Sequence, residues 1–437
     1  MSESIFHRGH IFLLVAVLIG VIFRINSFNA NIYLHGDVAL YSDTVQHLAA
    51  GKGFLVDPNT TEPYFYSLVE KGGRLLEHNP LWPLLGAPLV WVTGMSGFTA
   101  LKILSLLSGF VLLFFIYQFA KKIGGEKVAE FAVILSALSY SLIDYSGNGS
   151  FYIFQALLYL IFLSLVMDID KRLNVLWLGI LLGLGLLLNQ QTLAMFFALG
   201  LYLLFYYQGS VKEVVFKTAG KMFPILGVMF LFYLPWGLRN LQQFGAFFYS
   251  IDVTNFWQKL GVENTIKDNV IYYGITAETY KKLFKTIITF WFPHNLYFVN
   301  RKLFILAPLT YIFAFLFMIQ MFFKESYPKL KKFLPLVFLI IFHFSISAVW
   351  PVVKSRYLIP ILPLVFILGG YYIYNYLPKP KWQKIASVSA TALLLIFSVL
   401  TYLATPARTN YYDGTITSDI FGKNGELDFV LNQAEEK

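Results

Sequence analysis

The sequence predicts an all-α polytopic membrane protein. It should have about 11 transmembrane helices (range 10–13), with juxtamembrane helices in the first external loop. Three observations lead there. Of the 437 residues, 57% are hydrophobic and 13% charged, whereas a soluble domain carries about 25% charge. Apolar runs near the roughly 20 residues needed to cross a bilayer recur along the chain. Short basic clusters separate these runs, as expected at a membrane surface.

The runs centre near Val15, Leu112, Leu135, Leu160, Leu182, Phe197, Val228, Ile312, Leu339, Val365 and Leu394. The segment from Leu81 to Val92 is short and proline-rich, and reads as a half-buried helix at the membrane face. The clusters "KKIGGEK" (Lys121 to Lys127), "DKR" (Asp170 to Arg172), "KEVVFKTAGK" (Lys212 to Lys221), "KESYPKLKK" (Lys324 to Lys332) and "KPKWQK" (Lys379 to Lys384) all fall on one side in this count. The positive-inside rule makes that side cytoplasmic. The expected division is a transmembrane domain over 1–404, with external loops 29–98 and 239–302, and an external tail over 405–437. The N-terminus is then cytoplasmic and the C-terminus external, in a multi-pass protein of the plasma membrane. The first apolar run lacks a small-x-small cleavage site and reads as a span rather than a signal peptide.

The net charge of +10 lies at these membrane-facing loops. The expected partners are therefore membrane lipids and no nucleic acid. The chain has no cysteine, which excludes disulfides, thiolate metal sites and a cysteine nucleophile.

Chemistry gathers in the first external loop, "HGDVALYSDTVQHLAAGKGF" (His35 to Phe54). Val38, Tyr41, Val45, Leu48 and Ala49 form one apolar stripe, so a helix should lie along the membrane surface. Asp37 stands at its N-terminus and "GKG" ends it. Asp37 can cap the helix. It can also be a carboxylate at the water–lipid boundary that accepts a proton from a hydroxyl. Asp43 falls on the polar face. "EHNPLWPLLGAPL" (Glu77 to Leu89) brings Glu77 and His78 to the same side. His35, His47 and His78 do not have metal-ligand spacing. Asn59 and Asn148 lie in N-x-[ST] patterns on the outer side.

Other polar residues stand at membrane depth. In "LPWGLRNLQQFG" (Leu234 to Gly245), Trp236 is expected as an interface anchor. Arg239 either snorkels to headgroups or grips a phosphate. In "WPVVKSRYLIPILP" (Trp350 to Pro363), Lys354 and Arg356 open a span from outside. Cations at a helix N-terminus are disfavoured unless an anion binds between them and the free N–H groups. Asp144, at the outer end of the third span, is an acid near hydrocarbon and hence a functional candidate. His343 reads as a hydrogen-bonded core histidine.

The order of "GDVALY…HLAAGKGF", "HNPLWPLL", "LKILSLLSGFVLLFFIYQFAKKIGG", "LPWGLRN…FG" and "SRYLIPILPL" resembles the polytopic glycosyltransferases of the C-type fold that use lipid-phosphate sugars. The branch is that of protein O-mannosyltransferases and lipid A aminoarabinose transferases. The resemblance runs from about Ile11 to Tyr376. It implies a C-type fold and a polyprenyl-phosphate-linked sugar donor. It also implies a hydroxyl acceptor on a lipid, glycan or protein. Asp37 matches the family's catalytic aspartate and is followed by Tyr41. Lys354, Arg356 and Arg239 would hold the donor phosphate, and Tyr41, His78 and Tyr357 would line the acceptor or donor pocket. Asp144, Asp43 and Glu77 are candidates for a second acid. Asp37 with Asp144 could hold a divalent cation, Mg or Mn.

Three places depart from the family pattern. They are Asp37-Val38 where many members have Asp-Glu, Asn79-Pro80 where many have two prolines, and Asn189-Gln190-Gln191 where a lysine is common. The alternative is a lipid-linked sugar flippase or other transporter. It would place charges near the bilayer midplane, often in repeat halves. No repeat is visible, and the polar residues crowd at the outer face.

Overall fold

The computed structural model describes residues 3–30, 36–56, 69–70, 73–75, 78–249, 264–267, 270–273, 293–324, 327–349 and 355–404. Glu77, Lys354, Asn59 and the tail from Thr405 lie outside the described residues. The helices are α1 (Glu3–Ala30), α2 (Gly36–Ala49), α3 (Leu81–Thr93), α4 (Gly97–Gly124), α5 (Glu126–Leu138), α6 (Tyr140–Gly147), α7 (Tyr152–Val166), α8 (Arg172–Leu188), α9 (Leu193–Tyr206) and α10 (Val211–Phe244), followed by α11 (Pro293–Leu306), α12 (Thr310–Lys324), α13 (Tyr327–Val349), α14 (Leu362–Tyr376) and α15 (Pro380–Ala404). Short 3-10 turns at Gln190–Thr192 and Ser355–Ile361 precede α9 and α14.

Among the described residues, six helices are long and apolar enough to cross a membrane, and the bent pair α5–α6 makes a seventh. The remaining expected spans are the shorter apolar helices α7, α8, α9 and α12. Every expected centre falls in one of these helices. The segment read as too short to span is α3, of 13 residues. Its Trp82 is buried and its Trp91 exposed. Two small antiparallel sheets, which the all-α reading did not include, lie outside the helices. One has the order Leu55–Val56, Gly73–Leu75, Val69–Glu70, and the other pairs Asn264–Lys267 with Val270–Tyr273.

The two ends of the bundle differ. At one end the basic loops interlock. Lys122 and Lys171 each reach Asp168 at 3.3 Å. Lys332 donates to the Ile123 carbonyl at 2.9 Å and Lys221 to that of Ile169 at 3.3 Å. Burial by itself raises the Asp168 carboxyl, but the two lysines outweigh it and hold it below its usual value. Helix α4 runs from this end to the other. Its 28 residues span about 42 Å at 1.5 Å each, more than the roughly 30 Å hydrocarbon layer. At the far end Gly97 meets α2, so closely that a Cβ there would stand 2.1 Å from the Ser42 carbonyl oxygen.

Two local devices shape that far end. Helix α5 stops at Leu138 and α6 leaves at 59°, which strands carbonyls at the α5 C-terminus. Arg24 of α1 is fully buried and donates to the carbonyls of Ser136 at 2.9 Å and Ala137 at 3.0 Å. A guanidinium suits the negative end of a helix, and the carbonyl dipoles let a charge exist at this depth. The second device is the turn Gly147–Ser150, where Gly149 adopts φ 87°, open to glycine at little cost. Trp82 donates to the Gly149 carbonyl at 2.8 Å and Ser105 to that of Ser150 at 2.7 Å. These bonds fix the entry to α7. Asn148, one of the two N-x-[ST] asparagines, is 2% exposed inside this turn, so the folded chain offers no acceptor there.

Candidate functional site

Asp37 lies in the first turn of α2, as the sequence predicts. The helix ends as read: Gly51 takes φ 72°, and Lys52 N–H bonds the His47 carbonyl at 2.8 Å, the long bond of a Schellman ending. The apolar stripe read from the sequence is buried against protein. Val38, Leu40, Tyr41, Ser42, Thr44 and Val45 are all buried, so α2 is packed between α3 and α4 rather than floating. Its small polar residues allow this. Thr44 bonds back to the Leu40 carbonyl at 2.9 Å, and Gly97 lets α4 approach.

The 3-10 turn before α14 carries Arg356. Its Nη2 stands 3.1 Å from Asp37 Oδ2, with the two side chains 17% and 25% exposed. The fold thus joins two residues from opposite ends of the chain, read separately in the sequence as base and phosphate grip. The Arg356 Nε is buried with no hydrogen-bond partner among the described residues, which leaves donor capacity on a cation beside a carboxylate.

An aromatic wall flanks the pair. His78 meets the Tyr41 ring at 5.7 Å, Tyr41 meets Phe151 at 6.1 Å, and Phe151 meets Tyr152 at 4.5 Å. Tyr152 meets Tyr357 at 6.2 Å and Tyr145 at 5.8 Å. The three pocket residues read from the sequence, Tyr41, His78 and Tyr357, are therefore linked. Tyr145, which packs on Tyr152, was missed, and so were the two residues that link them, Phe151 and Tyr152. Their signal was an aromatic pair directly after a glycine-rich turn, in "GNGSFY".

The other candidates have different partners. Asp43 faces its own helix neighbour, with Oδ1 3.6 Å from His47 Nδ1. Asp144 is buried and lines a small cavity of about 40 Å³, open to solvent, together with Ser139, Tyr145, Ser355, Ser398 and Thr401. The turn that presents Arg356 to Asp37 thus presents Ser355 to that cavity. Arg239 lies over the rings of Trp236 at 4.4 Å and Phe244 at 5.0 Å, and its Nη1 reaches Asn240 Oδ1 at 3.1 Å. Trp236 is 6% exposed and packs on Phe54 at 4.9 Å. It is a buried contact to the first loop rather than the expected interface anchor.

Among the described residues no three His, Asp or Glu side chains converge as metal ligands. Asp37 Oδ2 already faces a guanidinium. A hard divalent cation seeks several oxygen ligands, and this donor set does not supply them, so no step below runs through a metal.

Residues 77–236 match the family model of dolichyl-phosphate-mannose-protein mannosyltransferases. No curated protein sequence matches the chain. The structure is similar to the oligosaccharyltransferase AglB from Archaeoglobus fulgidus, solved with an inhibitory peptide and a dolichol-phosphate. The TM-score is 0.60 at 12% identity, covering 94% of this chain and 59% of that one. It is also similar to ArnT from Cupriavidus metallidurans in the apo state, with TM-score 0.57 at 14% identity, covering 95% and 68%. With ArnT bound to undecaprenyl phosphate the TM-score is 0.52 at 13% identity, covering 91% and 64%. The chain therefore spans 59–68% of the length of these relatives in fold.

Proposed function

We propose that this chain, a multi-pass membrane protein with the C-type glycosyltransferase fold, transfers a sugar from a polyprenyl-phosphate carrier to a hydroxyl acceptor at the outer membrane face. The observation that carries the reading is the Asp37–Arg356 pair at 3.1 Å. It lies at the opposite end of α4 from the lysine loops, the end that the positive-inside rule makes external. The carriers seen in the relatives, dolichol-phosphate on AglB and undecaprenyl phosphate on ArnT, support a donor of the same chemistry.

At rest Arg356 neutralises Asp37. An arriving phosphate competes for the guanidinium, whose planar set of donors suits phosphate oxygens. Asp37 then loses its cation and becomes a stronger base. It takes the acceptor hydroxyl proton as the acceptor oxygen bonds to the sugar C1. The C1–O bond to phosphate breaks, and its electron pair leaves with the polyprenyl phosphate. Arg356 offsets the charge that develops there. Arg239 is the second cation assigned to the phosphate, and Tyr41, His78 and Tyr357 form the pocket wall. No nucleotide takes part.

The test is transfer of labelled sugars from polyprenyl-phosphate donors to lipid, glycan and peptide hydroxyls by purified protein. Asp37→Asn should slow transfer by about 10²–10⁴-fold, the usual range for a lost general base. Transfer at the wild-type rate would remove Asp37 from the mechanism.

A further inference from the structure

A second polar cluster lies beneath the Asp37–Arg356 pair. Gln155 and Tyr159 follow Tyr152 along one face of α7, roughly 4 and 10 Å deeper at 1.5 Å per residue. Gln155, Tyr159, Gln191 and His343 are each at most 1% exposed. Gln155 Nε2 donates to the Tyr159 hydroxyl at 2.9 Å. That hydroxyl stands 2.8 Å from His343 Nδ1 and 3.1 Å from the Gln191 carbonyl. His343 Nε2 meets the Tyr357 carbonyl at 2.5 Å.

The chemistry of these atoms settles who donates. A carbonyl only accepts, so the proton sits on His343 Nε2. Nδ1 of the neutral ring is then an acceptor, and the single Tyr159 hydroxyl proton is shared between it and the Gln191 carbonyl. The Tyr357 carbonyl cannot take the usual partner of a 3-10 turn. In a 3-10 turn its partner would be the N–H three residues on, and that residue is Pro360, which has none. His343 fills the gap left by the proline, one residue from Arg356.

The same network reaches the opposite wall of the site. Asn189 Oδ1 accepts from Gln191 N–H at 2.8 Å. Gln190 Nε2 donates to Asn79 Oδ1 at 3.0 Å, and Asn79 Nδ2 to the Leu186 carbonyl at 2.7 Å. Asn79 follows His78, which packs on Tyr41. Two of the departures from the family pattern, Asn79 and Asn189-Gln190-Gln191, are therefore one hydrogen-bonded unit. The break between α8 and α9 ties together the first-loop wall and the Arg356 turn.

We propose that His343 is a positioning residue for the phosphate site. Through the Tyr357 carbonyl it sets where the Arg356 guanidinium meets Asp37, and Tyr159 holds its other ring nitrogen. This rests on Arg356 as the group that holds the carrier phosphate. A histidine that merely filled core volume would not affect the position of the turn.

The chain has no cysteine, so Ser355→Cys places one thiol on the turn. Its rate of reaction with a water-soluble maleimide reports the position of that segment without any activity. His343→Phe keeps a ring and deletes both bonds, while His343→Gln keeps a terminal N–H donor. At matched thermal midpoints, His343→Phe should raise the labelling rate and weaken binding of undecaprenyl phosphate, each about tenfold, the scale of one lost hydrogen bond to a buried group. His343→Gln should restore most of both. Tyr159→Phe, a milder change, should shift both in the same direction and carries the comparison if His343→Phe does not fold. Unchanged labelling in both His343→Phe and Tyr159→Phe overturns the proposal. Altered labelling in a protein whose wild type does not bind undecaprenyl phosphate sinks the carrier reading instead, and leaves the positioning role standing.

Discussion

Asp37→Asn should make the protein bind its carrier more tightly while it transfers sugar more slowly. The carboxylate competes with the phosphate for Arg356, and it also repels it. Two unit charges about 5 Å apart interact by roughly 3 kcal/mol at an effective dielectric of 20. That is an upper bound, because the two side chains are 17% and 25% exposed and water screens them. Half of it, about 1.5 kcal/mol, is a little over tenfold in affinity. Arg356→Gln removes the attraction and should weaken binding by at least as much. Stability provides a second reading. Breaking a fully buried pair costs about 3–5 kcal/mol and an exposed one about 0–1 kcal/mol, so Arg356→Gln should cost about 2 kcal/mol. The double variant should lose less than the sum of the singles. The assay is titration of fluorescent undecaprenyl phosphate into nanodisc-embedded wild type, Asp37→Asn, Arg356→Gln and the double variant, with turnover measured on the same samples. Binding by Asp37→Asn that is no tighter than wild type would refute the competition between carboxylate and phosphate.

Three further outcomes follow from the fold. Single cysteines at the exposed positions 52 and 127 should be labelled from opposite sides of the membrane, Lys52→Cys from outside and Lys127→Cys from inside; labelling of position 52 only from the cytoplasm reverses the topology and the site's placement. Arg24→Leu should lower the thermal midpoint by the cost of two buried carbonyls left unpaired, about 1–3 kcal/mol each, and Arg24→Lys should recover only part, since one ammonium does not reproduce the planar fork; an unchanged midpoint would remove Arg24 from its capping role. Asp168→Asn should cost at most about 1 kcal/mol, because the carboxylate is 40% exposed and screened. The Asp168 carboxyl is depressed in the fold, so its contribution is present above the unfolded value of about 4 and fades as the pH falls through the lower folded value; a wild-type advantage that grew on acidification would contradict the sign.

The sequence by itself determined the class and the coarse layout. Composition and run length are properties of local windows, and the bilayer requires backbone groups to be satisfied within each span. The helix centres from Val15 to Leu394 were therefore readable, as were the short helix at Leu81 and the start and stop of α2 at Asp37 and Gly51. Asp37 was legible as a candidate because a carboxylate opening such a helix is chemically conspicuous. The tertiary structure decided which side chains meet. Nothing local says that Asp37 faces Arg356, that Phe151 and Tyr152 complete the wall between Tyr41 and Tyr357, or that Asp43 turns to His47 and Asp144 to a separate cavity. Nor does a window reveal that Arg24 caps α5, that Asn148 is buried, or that Asn79 and Gln190 are partners. These depend on how each helix is rotated and how closely its neighbours approach. That is set by small residues at crossings such as Gly20 and Gly97 and by breaks such as Ser139 and Pro360, where the consequence of one residue is felt on a helix far away in the chain.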